Sequence, residues 1–433
     1  MKLTAAPGQA LQGNVVLPGD KSISHRAILF SALANGQSVI ENLLVAGVSR
    51  AMLNALTALG VPWELQGTKL SVQGAGLPGL HAPSGAIDCG NSATTMRLLA
   101  GALAAAGIPA VLDGSPGLRK RPMRRIVQPL RQMGVPIQAT QGRAPLELQS
   151  RDSRLRPLDY HLPVASAQLK TCLLLAALAA NGTTTLYEPG PSRDHTERML
   201  KSMDVAINHD KVNGQALSTR EGLQPYAVVT LTSADPQSLL PLRIRIPGDI
   251  SSAAFLIVAA LITPGSKIVI REVGLNPTRT GLLDALRKMG ADIDIVPQSD
   301  QGGEPVGDLH VRASRLKGIQ ISGPLVVRMI DEFPAFAVAA AFAVGKTTVR
   351  EAQELRYKET DRIAVLCNEL KTLGVAVQEQ PDGFTLAGNT PPIGGLVKAH
   401  GDHRLAMALA VAGLGAEKVI TVQGAEILNE SFP

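Results

Sequence analysis

The stretch LPGDKSISHRA, residues 17–27, places Lys21, Ser22 and Arg26 directly after a Pro-Gly turn. At a helix start, hydroxyl groups and free backbone N–H groups bind anions, and Lys21 and Arg26 add full positive charges. A similar stretch, IPGDISSAAF at residues 246–255, keeps the Pro-Gly-Asp turn but lacks these cations. The turn is therefore predicted to be structural, and the cations of the first copy are predicted to bind an anionic ligand.

Further polar clusters break the apolar pattern of the chain, some at the starts of predicted helices and one, DGSPGLRKRPMRRI, in a loop. They are DCGNSATTMRLLAG, DGSPGLRKRPMRRI, VASAQLKT, PSRDHTERML, MIDEFPAF, ELRYKETDR and AHGDHRLAM. The second contains five cations without interleaved aromatic residues, which favours anion capture over nucleic-acid binding. Taken alone, Asp331 and Glu332 are equally well explained by charge pairing with a helix N-terminus. Together the clusters predict a site for two small, multiply anionic substrates, with carboxylates available for proton transfer.

An internal repeat must position these clusters. An Ala-rich apolar run, a glycine and a short β-branched run recur six times, and the shared glycines are Gly36, Gly107, Gly182, Gly265, Gly345 and Gly415. Each run predicts a buried helix that ends in a glycine C-cap and is followed by a strand. A second helix ending in Leu-Gly or Met-Gly follows in four copies, and the third copy has Asp204 at that glycine's place.

Six α/β units predict two domains of three units each, because a single core of this size is unusual. The two Pro-Gly-Asp turns mark where the chain passes between the domains. The predicted domains are residues 1–20 plus 244–433 and residues 21–243, with crossovers near 18–22 and 240–248.

The composition excludes several classes of protein. The 433 residues are 45% hydrophobic and 3% aromatic, with a net charge of +6. Scarce aromatic residues argue against single-stranded nucleic-acid binding. No apolar run reaches the roughly 18–20 residues of a membrane span, and no signal peptide is recognisable, which predicts a cytoplasmic protein. The isolated Cys89, Cys172 and Cys367 are predicted to be reduced packing residues, without a disulfide or a zinc site.

The motifs PGDKSISHRA, GNSATTMRL, KRPM, SAQLK, SRDHTERML, IDEFP, RYKETDR and GDHRLAM, in this order, resemble the 5-enolpyruvylshikimate-3-phosphate (EPSP) synthase family. SRDHTERML and IDEFP resemble the branch that includes glyphosate-tolerant members. The resemblance implies an α/β fold, a two-domain inside-out α/β barrel of six βαβαββ units that closes over its substrates. It also implies a transferase of the shikimate pathway to aromatic amino acids. This enzyme moves the enolpyruvyl group of phosphoenolpyruvate to the 5-hydroxyl of 3-phosphoshikimate and releases phosphate, without a metal or organic cofactor.

The resemblance also implies roles for individual residues. Lys21 would contact both substrates. The other ligands of 3-phosphoshikimate would be Ser22, Arg26, Ser166, Ala167 (through its backbone), Gln168, Arg193, Asp331 and Lys358. Those of phosphoenolpyruvate would be Asn91, Arg121, Gln168, Arg362 and Arg404. Asp331 would accept the proton of the 5-hydroxyl, and Glu359, helped by Lys21, would transfer the proton at the methylene carbon. The implied partners are these small molecules alone, with no nucleic acid or membrane, and the implied state is a monomer.

Two positions depart from the family pattern, and no role is predicted for His25. Glyphosate-sensitive members have glycine where this chain has Ala93, so its methyl group is predicted to crowd the inhibitor. Many members have acidic residues where this chain reads VAGVSRAML. The alternatives are a UDP-N-acetylglucosamine enolpyruvyl transferase, an RNA-end-processing enzyme of related fold, and a non-catalytic anion-binding module. The first is disfavoured because the loop GSPGLRKRPM lacks cysteine, and the last because acid and base residues accompany the cations.

Overall fold

The computed structural model describes residues 1–212, 225–233, 239–430 and Phe432. The chain divides into two compact units. Unit 1 consists of Met1–Asp20, Pro247–Asp300 and Glu304–Pro433. Unit 2 consists of Lys21–Ile246 and Gln301–Gly303. Each unit has its own cluster of buried apolar side chains.

The helices include the Ala-rich helix and the second helix of the predicted repeats. Within the described residues they are α1 (Lys21–Leu33), α2 (Gly47–Ala58), α3 (Ala93–Ala106), α4 (Pro116–Arg119), α5 (Arg124–Gln132), α6 (Ala167–Ala177), α7 (His195–Ser202), α8 (Ile250–Ile262), α9 (Gly281–Lys288), α10 (Pro324–Arg328), α11 (Phe333–Phe342), α12 (Arg362–Thr372) and α13 (His403–Ala412). The Ala-rich runs form α1, α3, α6, α8, α11 and α13, which are buried nearly all round, as expected of helices apolar on every face. None of the described helices is both long and apolar enough to cross a membrane.

The strands are short. In the described residues they are β1 (Lys2–Ala5), β2 (Gln12–Val16), β3 (Asn35–Glu41), β4 (Trp63–Gln66), β5 (Lys69–Ala75), β6 (Ile87–Asp88), β7 (Ala110–Asp113), β8 (Ile137–Thr140), β9 (Arg143–Leu148), β10 (Asp159–His161), β11 (Thr183–Glu188), β12 (Ile207–Lys211), β13 (Ala227–Thr232), β14 (Arg243–Arg245), β15 (Lys267–Gly274), β16 (Asp292–Gln301), β17 (Glu304–Arg312), β18 (Gln320–Ile321), β19 (Thr347–Val349), β20 (Val377–Gln380), β21 (Gly383–Leu386), β22 (Gly395–Lys398) and β23 (Ile420–Gln423).

The described strands form six sheets, three in each unit. In the sheet β14-β3-β5-β4, β14 is parallel to β3, β3 is antiparallel to β5, and β5 is antiparallel to β4. The sheets β6-β7-β9-β8, β10-β11-β13-β12 and β18-β19-β21-β20 repeat this pattern. The α/β class and the repeat are therefore confirmed.

Three strands complete sheets of distant repeats. Strand β14 pairs with β3 of the first copy, and β2 pairs in parallel with β15 of the fourth copy. Strand β1 pairs antiparallel with β23 of the sixth copy. These pairings cannot be predicted from local sequence patterns, because the partner strands lie hundreds of residues away.

The two Pro-Gly-Asp turns, residues 18–20 and 247–249, lie against each other in unit 1. The backbone N–H of each aspartate donates to the proline carbonyl of the other turn, at 2.8 and 3.1 Å. The buried Arg279 guanidinium donates to Asp20 at 2.8 Å and to Asp249 at 3.2 Å. Burial alone would lower the pKa of Arg279, but these carboxylates raise it above its usual range. The duplicated turn is structural, as the sequence predicts.

The glycine C-caps predicted for the Ala-rich helices are correct for one helix and wrong for others. Gly107, in left-handed backbone, ends α3. Helices α8 and α11 end instead at Thr263 and Ala343 in extended backbone, and Gly36 lies inside β3. Here the glycine belongs to the connection or strand that follows the helix.

The Leu-Gly or Met-Gly pair that ends the second helix of a copy provides a residue for left-handed backbone. Asp204, which replaces that glycine in the third copy, has φ of +66°. Aspartate is one of the few residues that tolerate left-handed backbone. The equivalent glycines also have positive φ, and they are Gly60, Gly134, Gly290 and Gly374.

Candidate active site

Unit 1 brings five of the sequence-predicted site residues into one charged cluster. Asp331 precedes α11, Lys358 and Glu359 precede α12, and Arg362 and Arg404 lie in the first turns of α12 and α13. The Asp331 carboxylate is 3.4 Å from the Lys358 ammonium and 3.8 Å from each of the two guanidinium groups. Helix starts from three repeats therefore supply one cluster.

Arg362 lies at the centre of this cluster and is 1% exposed. Its Nε donates to Asp402 at 2.7 Å, and one terminal nitrogen donates to Glu359 at 2.6 Å. Burial would lower the pKa of Arg362, but the carboxylates of Asp402 and Glu359 raise it. The other terminal nitrogen is buried and makes no hydrogen bond within the described residues. An anionic ligand oxygen would satisfy that donor.

Asp402 holds the cluster to the scaffold. Its carboxylate caps α13 by accepting the backbone N–H groups of Arg404 and Leu405, and it also accepts the Arg362 hydrogen bond. Asp402 lies in the motif GDHRLAM, but no separate role is predicted for it from the sequence. Its position at a helix N-cap was the available signal, since aspartate is a preferred cap.

In unit 2, the start of α1 lies beside the segment before α7. The Arg193 guanidinium donates to the Ser22 hydroxyl at 3.0 Å. Arg26 is 2% exposed and donates to the Ser22 carbonyl, Thr171 and Thr196 at 2.8–2.9 Å. These three contacts of Arg26 are with protein oxygens. Its direct contact with a substrate stays a prediction.

Gln168 lies in the first turn of α6, and both polar atoms of its side-chain amide make hydrogen bonds. The amide oxygen accepts a hydrogen bond from Arg97, and the amide nitrogen donates to Thr94 at 2.8 Å. Ser166 is the N-cap of α6, and Ala167 is its first residue. Arg97 has no role predicted from the sequence, although it lies in the motif GNSATTMRL.

His25, which had no predicted role, bridges two helix starts. Its Nδ1 is 2.8 Å from the Lys21 carbonyl oxygen, and its Nε2 is 3.4 Å from the Ser92 hydroxyl. Ser92 caps α3, whose first residue is the buried Ala93. His25 therefore fixes the start of α1 against the start of α3.

The remaining predicted residues lie on helix starts or loops of unit 2. Lys21 is the first residue of α1 and is half-buried. The Asn91 side-chain oxygen accepts a hydrogen bond from Ser115 at 3.0 Å. Arg121 is half-buried between α4 and α5.

The three cysteines are buried and reduced, as predicted. Burial raises the pKa of Cys172 and of Cys367 to about 12, and it also raises the pKa of Cys89. These thiols are packing residues, since the thiolate is the nucleophile and the metal ligand.

Comparison with known proteins agrees with this arrangement. The family model described as EPSP synthase (3-phosphoshikimate 1-carboxyvinyltransferase) matches residues 5–433. The 3-phosphoshikimate 1-carboxyvinyltransferase of Geobacter metallireducens is 46% identical over 432 residues, which cover 99% of this chain and 96% of the relative. The solved EPSP synthase of Acinetobacter baumannii is 40% identical, with a TM-score of 0.85, over 100% of this chain and 96% of that one.

A more distant solved structure shares the fold alone. The enolpyruvyl transferase NikO of Streptomyces tendae is 19% identical, with a TM-score of 0.79, over 100% of this chain and 94% of that one. These structures confirm the inside-out α/β fold that the sequence motifs imply.

Proposed function

The chain belongs to the EPSP synthase family, and from this premise we propose how its residues carry out the family's reaction. The protein is a transferase that moves the enolpyruvyl group of phosphoenolpyruvate to the 5-hydroxyl of 3-phosphoshikimate. The observation that carries the residue assignment is the cluster in unit 1. Three cations surround the Asp331 carboxylate there, and one buried Arg362 donor has no hydrogen-bond acceptor among the described residues.

The phosphoenolpyruvate ligands are proposed to be arginines and amide groups. Arg362 and Arg404 lie near Asp331 in unit 1, and Asn91 and Arg121 are the ligands proposed in unit 2. Guanidinium groups suit both anionic parts of this substrate, because they bind carboxylate and phosphate through paired N–H groups.

The 3-phosphoshikimate ligands in unit 2 are proposed to lie on α1, on α6 and before α7. They are Lys21, Ser22, Arg26, Ser166, Ala167, Gln168 and Arg193, and Asp331 and Lys358 are the ligands proposed in unit 1. The hydrogen bond from Arg193 to Ser22 supports a shared anion site, since both groups can donate to phosphate oxygens. Lys21 is proposed to contact both substrates, and Gln168 is proposed to do the same.

The proton steps follow from the bonds that change. The 5-hydroxyl oxygen attacks C2 of phosphoenolpyruvate, and its proton passes to Asp331. The methylene carbon gains a proton from the Glu359 carboxyl group, which enters this step protonated and is helped by Lys21. The product is a tetrahedral intermediate with a methyl group. Glu359 then removes a methyl proton as the C–O bond to phosphate breaks. The 2.6 Å hydrogen bond from Arg362 fixes the Glu359 carboxylate for both transfers.

A phosphate-release assay with the purified protein tests the proposal. Phosphate is expected only when phosphoenolpyruvate and 3-phosphoshikimate are both present. Release with UDP-N-acetylglucosamine in place of 3-phosphoshikimate would contradict the substrate assignment. Salt-sensitive RNA binding without this turnover would favour the RNA-end-processing alternative.

The location, the oligomeric state, the range of partners and the domain boundaries are also proposals. We propose that it acts as a cytoplasmic monomer and binds neither nucleic acid nor membranes. We further propose that its domains are the predicted segments 1–20 plus 244–433 and 21–243. Size-exclusion chromatography with light scattering would test the monomer, and limited proteolysis would test the boundaries.

A further inference from the structure

A fully buried lysine lies in unit 2, outside the residues assigned to the reaction. Lys170, on α6, has no exposed side-chain surface. Its ammonium is 3.0 Å from each carboxylate oxygen of Glu188 and 2.5 Å from Glu197. The ammonium donates a hydrogen bond to one Glu188 oxygen and forms ion pairs with both carboxylates. Lys170 does not reach solvent, so a direct contact with substrate is not its role.

The two carboxylates connect Lys170 to three other elements. Glu188 ends β11, Glu197 lies in α7, and His209 of β12 approaches Glu188 at 3.4 Å. Ser192 also donates to Glu188, and it directly precedes Arg193. Glu188, Glu197 and His209 have the spacing of metal ligands, but the Lys170 ammonium already provides a cation to both carboxylates.

A second contact lies one residue after Lys170 on α6 and one residue before Glu197 on α7. The hydroxyls of Thr171 and Thr196 are 2.6 Å apart, and Arg26 of α1 donates to both. Helices α6 and α7 are therefore joined by two consecutive pairs, 170 with 197 and 171 with 196. Each pair fixes the register of the two helix starts.

This register places the residues proposed to bind 3-phosphoshikimate. Ser166 and Gln168 lie within the turn of α6 that precedes Lys170, and Arg193 lies between Glu188 and Glu197. A buried ion pair contributes little net stability compared with apolar residues of similar volume, yet removing one partner leaves an uncompensated charge. A role in positioning explains why a lysine occupies this core position.

We propose that Lys170 is a positioning residue for 3-phosphoshikimate, which holds the start of α6 and the Arg193 segment at the separation that the substrate requires. The inference rests on the proposed function. Phosphoenolpyruvate affinity depends less on this separation, because only Gln168 among its proposed ligands lies on α6.

The test compares three variants by titration calorimetry, steady-state kinetics and thermal unfolding. In Lys170→Met, the dissociation constant and KM for 3-phosphoshikimate are expected to rise about 10- to 100-fold, since a displacement near 1 Å has effects of this size. The KM for phosphoenolpyruvate is expected to stay within about threefold. The control Leu174→Ala, buried on the same helix, should lower Tm without changing either KM.

A double variant separates positioning from stability. Lys170→Met with Glu188→Gln removes one charge of each sign, and burial raises the pKa of the remaining Glu197, which can therefore stay protonated. This variant should recover Tm, but it should still bind 3-phosphoshikimate weakly. The proposal is overturned if affinity recovers with Tm, or if folded Lys170→Met binds like wild type. If Lys170→Met does not fold, the double variant decides the matter by the same measurement. A wild-type protein that binds no 3-phosphoshikimate would instead refute the proposed function.

Discussion

Replacing Asp331 by asparagine should abolish most turnover while leaving phosphoenolpyruvate binding intact. The change keeps the size of the side chain but removes the proposed proton acceptor. The cluster has three cations, Lys358, Arg362 and Arg404, and three carboxylates, Asp331, Glu359 and Asp402. In the variant one positive charge is in excess, so an anionic ligand is expected to bind at least as tightly as in wild type.

The magnitudes follow from the role and the burial of the group. Losing a general base lowers kcat by about 10²- to 10⁴-fold. Breaking a fully buried ion pair costs about 3–5 kcal/mol of the free energy of unfolding, and an exposed pair about 0–1 kcal/mol. Asp331 is 16% exposed, and Arg362 keeps both of its other carboxylates. The expected loss is therefore about 1–2 kcal/mol, between those limits.

Three measurements check the prediction: phosphate release, calorimetric titration with phosphoenolpyruvate, and urea unfolding. Asp284→Asn is the matched control, because it removes a carboxylate that pairs with Arg328 at 2.8 Å in the same unit but outside the cluster. The control should turn over normally. Normal turnover by Asp331→Asn would refute its role as the base, and a loss of phosphoenolpyruvate binding would refute the charge argument.

Three more predictions concern other positions. Ala93→Gly should make the enzyme about tenfold more sensitive to glyphosate, because one methyl group accounts for about 1–3 kcal/mol of binding in a tight site. Inhibition curves check this, with Ala102→Gly on the same helix as control, and an Ala93→Gly curve unchanged from wild type would contradict it. Arg362→Met should lower the free energy of unfolding by about 3–5 kcal/mol, since it leaves the buried Asp402 without its cation. It should also weaken phosphoenolpyruvate binding, because it removes a proposed ligand. Urea unfolding checks the first effect and calorimetry the second. The pKa of Cys172 is raised to about 12 by burial, so the unfolded chain loses this proton first as pH rises. Stability should fall from about pH 9 to 12, and Cys172→Ala should show a shallower fall in urea unfolding.

Much of the candidate site follows from local signals in the sequence. Several charged residues stand out because a repeat built only for packing does not need them before or at its helix starts. They are Asp331, Lys358, Glu359, Arg362 and Arg404, and the structure brings them together in unit 1. Helix starts are marked by a few neighbouring residues, so the pattern can be read without knowing the fold.

Other roles could not be predicted because they depend on distant partners. His25 looks like one more cation of the first motif, but its ring contacts the cap of another helix. Arg26 has the residue type of an anion ligand, yet its nitrogens donate to two threonines about 145 and 170 residues away. The charge of a side chain follows from its residue type, whereas its contacts depend on how the chain packs.

The six-fold α/β repeat and the structural role of the Pro-Gly-Asp turn could be predicted from the sequence alone, because periodicity and turn preference act over a few residues. The sequence also shows Asp204 at the place of the repeat's glycine, whereas its left-handed backbone is seen in the structure. Only the tertiary structure decided which repeat receives β1, β2 and β14, and that Lys170 meets Glu188 and Glu197. Strand pairing and buried charge compensation both join residues far apart in the chain, so no local pattern specifies them.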